Sequence, residues 1–302
     1  MDTVSPGDRV RGLISGARSS VEIIAPFIKV GTLDTILEAV PTTVPVRCVT
    51  RWLPQEIALG VSDIETLDLL EQRGNAHLSL VDNLHAKLYI ADSDCLAGSA
   101  NATHSGFGDS PDSNIEILIA TTLEDQDVAA TLADIGRHER PATREIADQL
   151  RAVVDYLGQT ANTTRLPATW LPRSRKPESA YRRYKELYST NLPDDLTTAE
   201  RLVVNDIASM NLAPGHAERE FDAAIRERLE QIEPASTFLA GTGDALLTFK
   251  DTYSFLSGLD VEGFSEQDLW RAFIEWMAHF YPDRVMKQSI TEIALRRAQH
   301  IH

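Results

Sequence analysis

Cysteine is almost absent from the chain, and what there is excludes two classes of protein at once. Cys48 and Cys95 are the only two. They offer neither a disulfide framework nor a zinc-ligand spacing, and both fall inside apolar runs, where a lone cysteine behaves as a small buried side chain. Long hydrophobic runs are missing too. No stretch approaches the roughly 20 apolar residues of a membrane-spanning helix. The opening MDTVSPGDRVRG has no apolar stretch of signal-peptide length, so the sequence reads as cytoplasmic, with no membrane partner. Positive charge is scarce as well. Lys and Arg number 29 against 45 Asp and Glu, a net charge of −16. Such a chain is repelled from nucleic acid at long range, so any contact with it requires a local basic region.

The charge is unevenly spread. Residues 1–136 carry a net −12, residues 137–185 a net +6 and residues 186–302 a net −10. The basic stretch contains Arg173, Arg175, Lys176, Arg182, Arg183 and Lys185, interleaved with Trp170, Tyr181 and Tyr184. Cations mixed with aromatics suit phosphate contact and base stacking. A solvated basic helix and linker fits the same residues. Arg51, at the end of an apolar run, reads either as a phosphate contact or as half of an ion pair.

The first half alternates strand-like and helix-like patterns. Strands are expected at Val21–Ile28, Val46–Thr50, Ala76–Val81, His85–Ala91, Cys95–Ala97 and Ile115–Thr121. Helices are expected at Thr32–Val40, at Asp63–Arg73 with Ser62 as N-cap and Gly74 as stop, and at about 125–136 and 143–157. This alternation predicts an α/β domain with a mixed sheet and helices on both faces. Asp92-Ser93-Asp94 joins two of the strands tightly enough for an antiparallel hairpin. Beyond about Leu157, periodicity disappears into a Thr-, Pro- and Arg-rich linker. Helical patterns then return at Thr197–Met210 (with a capping box on Thr197 and Glu200), Ala217–Ile232, Ala245–Leu259, Ser265–Tyr281 and from Arg284 onward. The expected organisation is a catalytic domain over 1–160, a linker over 161–178 and a smaller all-α domain over 179–302. The aromatic stripe Trp270, Phe273, Trp276, Met277 and Phe280 has the spacing of a core face.

The chemistry-bearing stretch is His85-Ala-Lys87, then Asp92, then Gly98-Ser99-Ala-Asn101, then Glu116. Residues two apart on a strand share a face, so His85 and Lys87 project together. Ser99 and Asn101, at the end of the adjacent strand, converge on the same point. An imidazole can attack phosphorus, while an ammonium and an amide hold phosphate oxygens, so the set needs neither metal nor cofactor.

This passage resembles the phospholipase D superfamily, whose hallmark is a His-x-Lys pair, an Asp a few residues on and a Gly-Ser-x-Asn-type turn. The short gaps here, from Asp92 to Gly98 and from Ser99 to Asn101, look like its bacterial nuclease and restriction-type branch. Ala25-Pro26-Phe27 and Val46–Arg51 look like that branch as well. The resemblance spans about residues 8–125. It implies catalytic roles for His85, Lys87, Ser99 and Asn101. It also implies that Glu116 orients His85 by accepting its second N–H. Asp92 and Gly98 are read as structural support. Family members need two such motifs, and this chain has one, so a homodimer is implied, with one imidazole attacking and the other protonating the leaving oxygen. The expected substrate is nucleic acid, DNA before RNA, with a role in restriction or antiphage defence and protein partners of that system. A non-catalytic nucleic-acid-binding or assembly subunit, and a phospholipid-processing phosphodiesterase, are the other readings.

Overall fold

A computed structural model describes residues 4–110, 113–159, 169–189, 192–193, 195–241, 246–248, 264–289 and 292–295. The chain divides into two compact units, 1–150 and 151–302.

The first unit is built on seven strands: β1 (Val21–Ile24), β2 (Val46–Thr50), β3 (Ala76–Leu80), β4 (Leu88–Ala91), β5 (Asp94–Gly98), β6 (Leu118–Thr122) and β7 (Arg140–Pro141). Their order is β6-β5-β4-β1-β2-β3-β7. β1, β2 and β3 are parallel, and the remaining pairs are antiparallel. The sheet is therefore mixed, as expected, and β4–β5 is the expected hairpin. Alternate residues face opposite layers. Ile23, Cys48, Tyr89 and Leu96 pack with α1 (Pro6–Ser15), α2 (Val30–Ala39), α4 (Thr66–Arg73), α5 (His104–Phe107) and the first half of α7 (Arg144–Gln159), through Val10, Ile14, Leu33, Ile36, Leu70, Phe107 and Leu150. Ile24, Val49, Leu88, Ile90 and Cys95 face α6 (Gln126–His138) through Val128 and Ile135. Cys48 and Cys95 are free, buried on opposite faces, and burial raises both thiol pKa values.

Two helix boundaries differ from expectation for a shared reason. Ser62 does not cap α4. Its hydroxyl instead accepts from Ile28 N and donates to Ile28 O, both at 3.3 Å. The neighbouring Asp63 carboxylate accepts from Val30 N (2.8 Å) and from Lys29 Nζ. Asp63 thus closes the start of α2, and the tethered segment turns helical only at Thr66. Gly74 does end α4, at φ 80°. A short helix, α3 (Pro54–Ala58), follows β2 where none was expected.

The turn between β4 and β5 is held by Asp92, at φ 56°. Its carboxylate accepts N–H bonds from Arg18 (2.9 Å), Ser19 (2.7 Å) and Ser20 (3.0 Å). These three donors favour the ionised form and hold the carboxyl below its ordinary range.

The second unit has one helical core. It gathers Val153 and Leu157 of α7 with α8 (Ala180–Leu187), α9 (Thr198–Ser209), α10 (Glu218–Glu230), α11 (Ala235–Ala240) and α12 (Glu266–Phe280). The capping box on Thr197 and Glu200 and the Ser265 cap are present. Trp270, Phe273, Trp276, Met277 and Phe280 are all buried. The unit is not all-α, however. Strands β8 (Leu246–Thr248), β9 (Val285–Lys287) and β10 (Glu292–Leu295) form a second, antiparallel sheet where helices were expected. Such short apolar runs have no period long enough to separate strand from helix, and their pairing is set by partners distant in sequence. The rest of the helix expected over 245–259 lies outside the described residues. The linker reading also changes. Residues 160–168 are not described, but Trp170 N donates to Glu233 O (2.9 Å) and Ser174 O accepts from Trp276 Nε1 (3.1 Å), so 169–178 is packed chain. Among the described residues, no helix is long and apolar enough to cross a membrane.

Replacing Asp92 by Asn tests the turn. A carboxyl with a lowered folded-state pKa stabilises at neutral pH, and that contribution is lost as pH falls through the lowered value. Thermal unfolding from pH 7 down to pH 2 is expected to show the wild type losing its advantage over Asp92→Asn in the acid limb. Equal acid sensitivity of the two would contradict the assignment.

Candidate active site

His85, Lys87, Ser99, Asn101 and Glu116 gather at one end of the sheet because three strands begin or end there. The β4 ladder starts only at Leu88, where β1 ends at Ile24. His85 and Lys87 therefore lie in the approach to the strand rather than within it, beyond the last rung. β5 ends at Gly98, opposite Leu118, the first residue of β6. Ser99 and Glu116 thus extend past the ladder on either side of the same rung. Asp92 is at the opposite end of β4 and β5 and has no place in the site.

Gly98 allows this convergence. A Cβ there would lie 1.9 Å from the Ile117 carbonyl oxygen, and no side chain fits. Gly98 N donates to Lys87 O (3.1 Å), which fixes Lys87 beside the turn. Ser99 N donates to Ile117 O (2.9 Å), and Ile117 N donates to Ser99 Oγ (3.1 Å). From the buried side, Tyr89 OH donates to Ala100 O at 2.9 Å. Lys29 N donates to Ala102 O at 2.9 Å, tying the turn to the segment after β1. Tyr89 was not expected to matter. Its signal was a hydroxyl in an otherwise apolar strand, a group that requires a partner once buried.

His85 is exposed, whereas Lys87 is only 7% exposed. Lys87 Nζ lies 2.9 Å from His85 Nδ1 and donates to His85 O at 2.7 Å. An ammonium only donates, so Nδ1 accepts and the neutral ring carries its proton on Nε2. Burial, and then the nearby Arg51 cation, lower the Lys87 pKa, while Glu116 opposes them. Glu116 does not take the place expected for it at the imidazole. Its carboxylate accepts from Ser99 Oγ and from Asn114 Nδ2 (3.2 Å), and Lys87 occupies Nδ1 instead. Asn101 Oδ1 is buried with no hydrogen-bond partner; it is an acceptor, and the Nδ2 end of the amide is the one that donates. An exposed imidazole bonded to a buried ammonium thus stands at the end of β4, next to the turn after β5 that carries the Ser99 hydroxyl, paired with Glu116, and then Asn101.

Some of the other residues expected to contact nucleic acid are held within the fold. Arg183 is 2% exposed and paired with Glu186 and Glu200, so it is not available to nucleic acid. Trp170 and Tyr184 are core residues, donating to Ser209 Oγ (3.0 Å) and Ala213 O (2.6 Å), so the basic stretch has no exposed stacking platform at these two rings. Arg173 donates its backbone N–H to Asp206 (2.9 Å). Arg175, Lys176 and Arg182 are on the surface, Arg182 with Glu186 3.9 Å away. Among the described residues, no group of three or more His, Cys, Asp or Glu is placed to hold a metal ion.

No family model matches the chain, and no curated protein matches it. Among solved structures, it is similar to NucT from Helicobacter pylori (16% identity, TM-score 0.34, 43% of this chain and 85% of that one). It is also similar to Nuc from Salmonella typhimurium, described as a phospholipase D family member (19% identity, TM-score 0.36, 44% and 88%). A third is phosphatidylserine synthase from Haemophilus influenzae (16% identity, TM-score 0.38, 52% and 43%).

The Gly98 contact is tested by Gly98→Ala, expected to cost about 1–3 kcal/mol through overpacking. Gly12→Ala is the control, because a Cβ at Gly12 meets nothing within 4 Å. Urea unfolding of both decides; a neutral Gly98→Ala would mean that the β5 and β6 ends separate freely.

Proposed function

We propose that the chain is a metal-independent phosphodiesterase of the phospholipase D type that cleaves nucleic acid, DNA before RNA, as a homodimer. What supports this reading most is the Lys87–His85 bond next to the Gly98 turn, from which Ser99 and Asn101 follow. In the proposed reaction, His85 Nε2 attacks phosphorus and the bond to the leaving oxygen breaks. The partner's His85, protonated, gives that oxygen its proton. Water then attacks the phosphohistidine, losing a proton to the now neutral partner imidazole, and the P–N bond breaks. Attack by Nε2 requires its lone pair, so Lys87 Nζ leaves Nδ1 for a phosphate oxygen and the ring proton moves to Nδ1. Lys87 and Asn101 supply the field that a metal provides elsewhere.

The dimer is supported by the surface beside the site. Ile115, Ile117 and Ile119 are 103%, 60% and 59% exposed and alternate along the segment that holds Glu116. From Ile117 to Leu123 the chain carries no charge. In a protein of net −16, this is a face on which two copies meet without opposing like charges. The defence role rests on the sequence resemblance. A non-catalytic assembly subunit is the alternative, separated by the same experiment.

Purified protein is expected to cleave labelled DNA in EDTA, and His85→Ala to lose that cleavage by at least ~1,000-fold while still binding. Cleavage retained by His85→Ala would end the phosphohistidine reading. No cleavage of DNA or RNA by the wild type would favour the assembly subunit. Ile117→Asp is expected to shift sedimentation from dimer to monomer and to abolish cleavage with it; an unshifted dimer places the interface elsewhere.

A further inference from the structure

Arg51 lies just beyond β2, at the rim near Lys87, and offers a guanidinium to any phosphate entering the site. Three of its five N–H groups, one on each nitrogen, are already committed. Nε donates to Glu56 Oε2 at 3.0 Å, Nη2 to the other Glu56 oxygen, and Nη1 to the Leu84 carbonyl at 2.9 Å. The guanidinium carbon is 5.2 Å from the centre of the Phe27 ring. The two side chains of the ion pair are only 16% and 17% exposed. A forked, part-buried pair of this kind is held in one geometry, and taking Arg51 from Glu56 leaves a poorly solvated carboxylate behind.

The third partner gives the arrangement its direction. Leu84 is 3% exposed, and its carbonyl belongs to the peptide unit that leads into His85. Leu84 N donates to Val81 O at 3.1 Å, closing the turn after β3. Arg51 therefore ties the end of β2 and the first turn of α3 to the segment from which the imidazole projects. No rung of the sheet reaches that segment, since the β4 ladder starts at Leu88.

Resting on the phosphodiesterase reading above, we infer that Arg51 is a positioning residue for His85, acting through the Leu84 carbonyl and Glu56, and is not a contact for substrate phosphate. Its charge contributes secondarily by adding to the effect of burial on Lys87.

Arg51→Met, Arg51→Lys and Glu56→Gln separate the two roles. Arg51→Met is expected to lower kcat between about 10- and 100-fold, with KM changed less than about twofold. Arg51→Lys keeps the charge but loses the fork, and is expected to be equally impaired; a lysine that restored kcat would overturn the inference. Glu56→Gln is expected to follow Arg51→Met. Tighter substrate binding with unchanged kcat in Glu56→Gln would show a liberated phosphate-binding arginine and overturn it. Duplex binding, measured against salt in a His85→Ala background, is expected to keep its slope in Arg51→Met. A slope reduced by about 0.9, the value for one lost phosphate contact, would overturn it too. Absence of any cleavage by the wild type would remove the reaction and leave one readout standing. The Leu84 carbonyl and His85 ring resonances, compared by NMR at one pH, are expected to move in Arg51→Met and equally in Arg51→Lys. Unmoved resonances in Arg51→Lys overturn the positioning role whether or not the protein is a nuclease.

Discussion

The site exists because two backbones approach each other at Gly98 more closely than any side chain allows. The Ile117 carbonyl occupies the position of a Cβ there, and the reciprocal bonds between Ser99 and Ile117 lock the approach. Everything chemical is arranged around that contact. Lys87 is held by Gly98 N, Ser99 meets Glu116, and the turn to Asn101 is supported from below by Tyr89. A dense interior transmits such a constraint rigidly, so a small change at the contact is felt by every group on the turn.

Much of this arrangement was legible in the sequence. Alternating apolar runs gave the mixed sheet, and Asp92-Ser93-Asp94 gave the hairpin. Local signals with a single cause, such as the Thr197 capping box and the αL Gly74, were readable because their partners lie within a few residues. Signals that depend on distant partners were not. Ser62 and Asp63 look like the start of a helix, yet both serve the segment from Ile28 to Val30. Glu116 looks free to orient His85, yet Ser99 and Asn114 hold it. The basic, aromatic-rich stretch read either as a nucleic-acid surface or as a solvated helix and linker. In the fold its rings Trp170 and Tyr184 are core, and Arg183 is enclosed by two glutamates. Composition alone does not distinguish a buried cation paired with carboxylates from an exposed one awaiting phosphate.

Charge sets a second constraint. A chain of net −16 has little long-range attraction for a polyanion, so the proposed recognition of nucleic acid would rest on short-range groups. Lys87 is suited to this. Burial beside Arg51 disfavours its charged form, and an incoming phosphate would restore the counter-charge that burial removed. In the proposed reaction, the ammonium that rests on His85 would move to the phosphate.

The two margins of the seven-stranded sheet are unlike each other. On one side the sheet ends in β7, two residues long, where Pro141 stands opposite Ser79 and has no N–H to offer a further strand. On the other it ends in β6, five residues long and uncharged. A sheet with one closed and one open margin has a direction of growth but no means of continuing it. Among the described residues, β6 is the open margin of this sheet, so copies that joined through it would leave no second open margin of the sheet for a third copy.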